Sequence, residues 1–349
     1  MKSSKNNTSN RKQDHIKICL EDDVQFKSKT TGFEKYEFEH FAITELTLDE
    51  IDLSTEFFAK KISYPFLISC MTGGTIEAES INAKLAEAAE QLNIPIGVGS
   101  QRQLLEDDKY IASFKIISET VKSVPIIGNI GAAEFSKFDN PADKIMYLSE
   151  AVNASAMVIH VNPLQELFQI EGTPNFKGLQ KNLEIVCAKI SIPIIVKEVG
   201  SGISRRAAKI LLDCGVKGID IAGAGGTSWS GVEMKRNKNS YNEYFWDWGL
   251  PTSFCIKELF KLKKDYDFML IGSGGISKPE DAAKALALGA DISASAGILL
   301  KEVAANGVEG VTNLLLNWFF NLKKIMYLTN CKNISELKNV NLIKKEDLF

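Results

Sequence analysis

Eight short apolar runs, each followed by a glycine-rich or polar turn and an amphipathic stretch, constrain this 349-residue chain more than any other feature. The runs are PFLISC (65–70), IPIGVG (94–99), VPIIGN (124–129), AMVIHV (156–161), IPIIVK (192–197), KGIDIA (217–222), FMLIG (268–272) and DISASA (291–296). Between them lie segments such as SINAKLAEAAEQL, ADKIMYLSEAV, LQKNLEIVCAK and PEDAAKALALG. Their apolar residues recur at three- and four-residue spacing, as a one-sided helix requires. Most runs begin about thirty residues after the last, the length of one strand–helix unit. Runs with little polar alternation suit strands of a parallel sheet, buried on both faces. Eight such units predict a TIM (β/α)8 barrel over about 65–302, within a single domain spanning 11–349. A doubly wound sheet of eight strands is the alternative. Closure is favoured because polar and glycine motifs follow all eight runs.

Outside the barrel, residues 1–10 are polar and are expected to be a disordered head. Residues 11–64 read as an N-terminal extension and 303–349 as C-terminal helices. One connection is unusually long and carries KRNKNSYNEYFWDWG. Its Trp and Tyr content suggests an ordered lid or a subunit contact.

Net charge is −3 and no long basic block occurs, which argues against nucleic acid as the main partner. No apolar run approaches the roughly 18 residues of a membrane span, and MKSSKNNTSNRKQDH lacks the apolar stretch of a signal peptide. The six cysteines are scattered, with neither CxxC nor metal-ligand spacing. A reducing, cytoplasmic setting is the expectation, and zinc is not.

In a barrel the C-terminal ends of the strands face the active site. In this chain those ends read MTGG, SQR, NIG, HVNPLQE, KE, GAGGTSW, GSGG and AG. A purely structural barrel has no need of so many glycines, amides and charges, so an enzyme is expected. GSGGI after the seventh run and AGI after the eighth let backbone N–H groups approach a phosphate, and a helix N-terminus adds a favourable dipole. GGTS after the sixth run offers a third lobe through Thr227. Tight turns alone are the plainer reading of those glycines.

Lys197 ends an otherwise apolar strand. It is either a core-edge lysine that snorkels or pairs with Glu198, or a positive charge beside a cofactor ring. A Schiff-base lysine is the competing role. His160 shares a segment with Asn162, Gln165 and Glu166. Gln165 can hydrogen-bond a substrate, and Glu166 can ligate Mg2+ completed by substrate phosphates and waters. Arg11, Lys12 and His15 form a basic cluster that is either a solvated tail or a clamp for a diphosphate, with Arg102 as a further positive contact.

RKxxH, MTGG, GVGSQR, GNIGA, HVNPLQE, VKEVGSGIS, AGAGGTSW, WGLPT and GSGGI follow one another along residues 11–300. In that order they resemble the type 2, FMN-dependent isopentenyl diphosphate isomerases. HVNPLQE, GVGSQR and RKxxH are the specific parts, since other FMN barrels such as the α-hydroxy-acid oxidases share the glycine motifs. The resemblance implies that FMN is held by Met71, Thr72, Gly73, Ser100, Asn129, Lys197 and Thr227. Its phosphate would lie on Gly274, Gly275, Ala296 and Gly297. The substrate diphosphate and hydrocarbon would meet Arg11, Lys12, Ser100, Gln101, Arg102 and Gln165, with His15, His160 and Asn162 close by. Glu166 would ligate Mg2+. A homotetramer or homooctamer is also implied, in which the N-terminal cluster could serve a neighbouring subunit. SAGILLKEV lacks the arginine–proline that many relatives place after the glycine, which bears on packing there rather than on flavin binding.

The activity so implied interconverts isopentenyl and dimethylallyl diphosphate without net redox change. Reduced FMN would perform the acid–base work, Lys197 would favour its anionic form, and NADPH would be the activating reductant. Gln165, His160 and Lys197 are the candidate catalytic residues. The alternatives are an FMN-dependent 2-hydroxy-acid oxidase or dehydrogenase, a Schiff-base aldolase using Lys197, and a flavin-binding barrel without catalysis. The oxidase needs a base histidine late in the barrel, and no histidine follows His160.

Overall fold

The computed structural model describes residues 2–106, 110–238 and 241–348, with residues 2–9 in backbone only. Eight parallel strands close into a barrel: β1 (Phe66–Ile68), β2 (Ile96–Gly97), β3 (Ile126–Gly131), β4 (Ala156–His160), β5 (Ile194–Lys197), β6 (Gly218–Asp220), β7 (Met269–Gly272) and β8 (Ile292–Ser295). Seven fall within a run expected from the sequence, and β3 overruns the run 124–129 by two residues. The ring shuts where β8 pairs with β1, Ser295 opposite Ile68.

Because side chains alternate along a strand, each strand sends one set inward and one outward. Leu67, Ile127, Val158, Ile195, Ile271 and Ile292 form an apolar plug inside the barrel, together with Phe57 and Ile62. Phe57 and Ile62 come from an antiparallel hairpin, Thr55–Phe57 with Lys60–Ile62. The outward set, including Ile68, Ile96, Val196 and Ile219, packs beneath the helices in a second and larger core. Two residues above Ile127, Val158, Ile195 and Ile271 come Asn129, His160, Lys197 and Ser273. Asp220 pairs in register with both Lys197 and Ile271, and His160 pairs with Lys197. A polar row therefore caps the apolar plug at the C-terminal end of the strands.

Four helices position the site: α1 (Lys2–Glu21), α2 (Pro163–Phe168), α3 (Trp229–Arg236) and α4 (Gly297–Leu328). Residues 2–10 are continuous with α1, which starts at Lys2; Met1 lies outside the described residues. Residues 11–20 are anchored by packing. Ile16 is buried in the large core, and once a helix is nucleated each added residue gains one backbone bond. The long connection after β6 folds as α3 and a short helix, Glu243–Trp246, with residues 239 and 240 outside the described set. The chain's last part is not helical throughout. After α4, interrupted at Gly307, comes a short helix, Ile334–Leu337. Leu342–Lys344 then pairs antiparallel with Tyr36–Phe38 and ties the two ends of the chain together.

Candidate active site

The glycine turns form one continuous cradle. Gly274 and Gly275 take φ values of 100° and 70°, which side chains rarely adopt. A Cβ on Gly275 would stand 2.5 Å from Thr31 Cγ2 and 2.6 Å from the Gly225 carbonyl, and one on Gly226 would stand 2.6 Å from the Gly275 nitrogen. The loops after β6 and β7 thus touch backbone to backbone. Thr252 Oγ1 braces them by donating to the Gly274 carbonyl at 2.7 Å. Ala296 precedes α4, and Gly297 opens it, so the first-turn N–H groups have no partner within the helix. The Thr227 hydroxyl faces Gly297, 3.5 Å from where a Cβ would stand.

After β1, the strand paired with β8, Thr72 is pinned through its carbonyl, which accepts from Gly99 N at 2.9 Å and Asn82 Nδ2 at 3.1 Å. Gly73 packs so closely on Phe114 that a Cβ would approach its ring to 2.3 Å, and Met71 is half-buried beside it. Asn129 Nδ2 donates to the Val98 carbonyl at 3.2 Å, which turns its Oδ1 toward His160 Nδ1 at 2.9 Å. His160 therefore carries its proton on Nδ1. Burial, and then the charge of Lys197, lower its pKa to about 3, so the imidazole is neutral. Lys197 Nζ donates to the Glu198 carbonyl at 2.7 Å and lies 3.9 Å from Asp220 Oδ2. The Glu198 carboxylate is gripped by the N–H groups of Val199, Gly200 and Ser201. Burial outweighs those bonds and pushes its pKa up to about 7.

Above this row lies α1. Lys12 Nζ donates to the Ser100 carbonyl at 3.0 Å and to Gln103 Oε1 at 2.8 Å. Gln103 is itself tied to the Gly74 carbonyl at 3.1 Å. Burial, and then the neighbouring Arg11 charge, bring the Lys12 pKa down to about 7. Burial and Arg102 likewise lower that of Arg11. Gln169 presents its amide oxygen to Arg11 Nη1 at 2.9 Å. Arg102 is partly paired, 2.9 Å from Glu106 and 3.7 Å from Glu134. Among the described residues no carboxylate reaches ion-pair distance of Arg11 or Lys12. Three cations thus converge at the mouth of their own barrel with two of them unneutralised, a site built for an anion.

At the start of α2, the preceding Asn162 donates through Nδ2 to Gln165 Oε1 at 3.0 Å and Glu166 Oε1 at 3.2 Å, while Glu166 Oε2 accepts from Thr173 N at 2.7 Å. Asn162 Oδ1 is buried without a partner. Such an orphan acceptor calls for a donor, such as a bound water or ligand.

Two findings depart from the sequence reading. Gln101 is fully buried, and its amide is spent on the wall: Nε2 donates to the Leu148 carbonyl at 2.7 Å and Oε1 accepts from Asn129 N at 2.9 Å. It orients Asn129 and does not face a ligand, so the substrate contact expected of it is not what its geometry supports. The second is Glu233 on α3, which the sequence reading did not select. It is 1% exposed. Its Oε1 meets His15 Nε2 at 2.8 Å and Gln165 Nε2 at 3.0 Å, and its Oε2 lies 3.4 Å from Arg236. Burial opposes its ionisation, but the bonds from His15 and Gln165 and the Arg236 charge hold its pKa below the ordinary carboxylate value.

The site fits a phosphate-bearing planar cofactor. It has a glycine cradle that any Cβ would fill, an open helix N-terminus beside a hydroxyl, and a buried lysine on the polar row. The match to known proteins agrees. Residues 4–108 and 165–344 fit the family of FMN-dependent dehydrogenases. An isopentenyl-diphosphate delta-isomerase of Pelodictyon phaeoclathratiforme is 43% identical, covering 97% of this chain and 98% of its own. One of Vibrio parahaemolyticus is 46% identical, covering 84% and 86% respectively. The solved structure of mandelate oxidase superposes with a TM-score of 0.67 at 15% identity, covering 98% of both chains, a likeness of fold alone. No helix among the described residues is long and apolar enough to cross a membrane. The chain belongs to the FMN-dependent dehydrogenase family and, within it, to the branch of the isopentenyl-diphosphate delta-isomerases.

Proposed function

We propose that this chain interconverts isopentenyl diphosphate and dimethylallyl diphosphate, adding one proton to the five-carbon chain and removing another with no net redox change. The carrying observation is the unneutralised pair Arg11 and Lys12, poised with Arg102 above the polar row of the barrel. These cations would take the diphosphate, Arg11 and Arg102 through guanidinium forks and Lys12 as a point charge. One carboxylate, Glu166, stands beside the orphan oxygen of Asn162. That set suits an Mg2+ that keeps most of its waters and is completed by substrate phosphates.

FMN would be held by the Gly274–Gly275 turn, Gly297, Thr227, Thr72, Asn129 and Lys197. Bound and reduced by NADPH, it supplies the acid–base chemistry on the alkene. The chain's own part is to bind, orient and keep the site dry. His160, neutral with its proton on Nδ1, is unsuited to protonating an alkene and instead presents Nε2 as an acceptor. Gln165, fixed between Asn162 and Glu233, orients the substrate. Lys197 keeps positive charge at the cofactor ring. The cluster on α1 serves its own barrel in this reading. Six free thiols fit a reducing cytoplasm, and assembly into a homotetramer or homooctamer is part of the same proposal.

The test is an anaerobic reaction of purified protein with FMN, Mg2+, NADPH and isopentenyl diphosphate, followed by NMR in D2O. Deuterium-labelled dimethylallyl diphosphate appearing only after flavin reduction supports the reading. Bound flavin with turnover of 2-hydroxy acids instead would favour an oxidase.

A further inference from the structure

Lys197 has a partner that the proposed reaction does not use. Asp220 is 1% exposed, sits opposite Lys197 in the β5–β6 register, and places Oδ2 3.9 Å from its Nζ. Among the described residues it is the one carboxylate within ion-pair distance of that lysine. Its other oxygen takes a short hydrogen bond from Ser273 Oγ. Ser273 in turn accepts from Ala222 N at 3.2 Å, and its carbonyl accepts from Gly223 N at 2.9 Å. Ala222 is a non-glycine residue at φ 34°, a strained backbone of the kind held only where its surroundings over-determine it. Ser273 is followed directly by Gly274 and Gly275 of the cradle. One line of contacts therefore runs Lys197, Asp220, Ser273, Ala222 and the glycine turns.

Burying a carboxylate costs several kcal/mol unless it is paired and hydrogen-bonded. Apolar packing would close a barrel more cheaply at this position, as it does one layer below. Burial raises the Asp220 carboxyl pKa against the pull of Lys197 and Ser273, and the negative charge it carries when ionised alters the field felt by its surroundings, because a low-dielectric wall transmits it. Lys197 alone would place a full positive charge against the cofactor ring. With Asp220 beside it, that charge is partly cancelled and its direction is fixed.

We infer that Asp220 is a positioning residue that sets the strength and direction of the Lys197 charge at the flavin ring, and that Ser273 links this setting to the phosphate cradle. The inference rests on the FMN reading above and deepens it. Reduction adds negative charge to the ring, so Asp220 holds the midpoint potential below the value Lys197 would impose alone.

The experiment is anaerobic titration of FMN-loaded wild-type, D220N, K197M and K197M/D220N proteins against reference dyes. D220N should raise the reduced-to-oxidised ratio at fixed potential at least tenfold, about 30 mV for a two-electron couple. In the K197M background that shift should shrink to a minor part. S273A keeps every charge and covers the case in which D220N does not fold. It should also shift the potential, by less, because Asp220 loses its anchoring donor, and should loosen FMN retention. An unchanged potential in D220N, or in S273A where D220N does not fold, overturns the inference. A D220N shift that persists in full without Lys197 overturns the route through the lysine. A wild-type protein that takes up no FMN defeats the functional reading itself, which is a separate and visible failure.

Discussion

Glu233 Oε1 receives the imidazole of His15 at 2.8 Å and the amide of Gln165 at 3.0 Å, so one buried carboxylate joins the N-terminal helix to α2. Arg236 adds a second clasp on the same helix, 3.2 Å from Asp14.

Removing this hub should loosen the mouth. E233A strips His15, Gln165 and Arg236 of an acceptor and should cost about 2–4 kcal/mol. The Tm should fall, and trypsin should cut α1 near Lys12 and Lys17 faster than in wild type. An equally protected α1 would remove Glu233 from this role.

Lys12 gives the reaction a basic limb. With a pKa of about 7 in the free protein, lowered by burial, it loses its proton as pH rises through neutrality. Arg11 and Arg102 push the same way and Glu106 opposes them. The charged form binds a diphosphate, so kcat/KM should fall above pH ~7, by up to about tenfold per unit. K12R should flatten that limb, because arginine stays charged. Identical profiles for the two proteins would assign the limb elsewhere.

Glu166→Gln should raise the Mg2+ concentration needed for half-maximal activity by on the order of 100-fold, with the fold unchanged by circular dichroism. An unaltered Mg2+ dependence would sink the assignment.

Gly275→Ala tests the cradle. Its Cβ meets Thr31 and the Gly225 carbonyl, and φ is 70°. The variant should purify colourless with a native far-ultraviolet spectrum. A yellow protein with wild-type flavin content would show that the turn is not in contact with the cofactor.

The barrel was legible because each strand is buried on both faces, so its residues are mostly apolar with little polar alternation. The polar row was legible at Asn129, His160 and Lys197 because each breaks such a run. Asp220 breaks one too, in KGIDIA, but a lone acid inside a strand carries no motif and was passed over. Glu233 left still less trace. It lies on a helix among polar residues, where a glutamate ordinarily faces water, and only tertiary packing turns it inward. Gln101 misled for the opposite reason. It stands between Ser100, whose carbonyl accepts from Lys12, and Arg102, and adjacent residues in a tight turn need not share a direction.

One of the grips on α1 comes from more than two hundred positions away, His15 and Glu233 being 218 apart. Contacts of such long range close late, since the loop between them must first be brought together. The segment carrying Arg11 and Lys12 is thus held in part by a carboxylate that comes much later in the chain, and its full docking waits on α3.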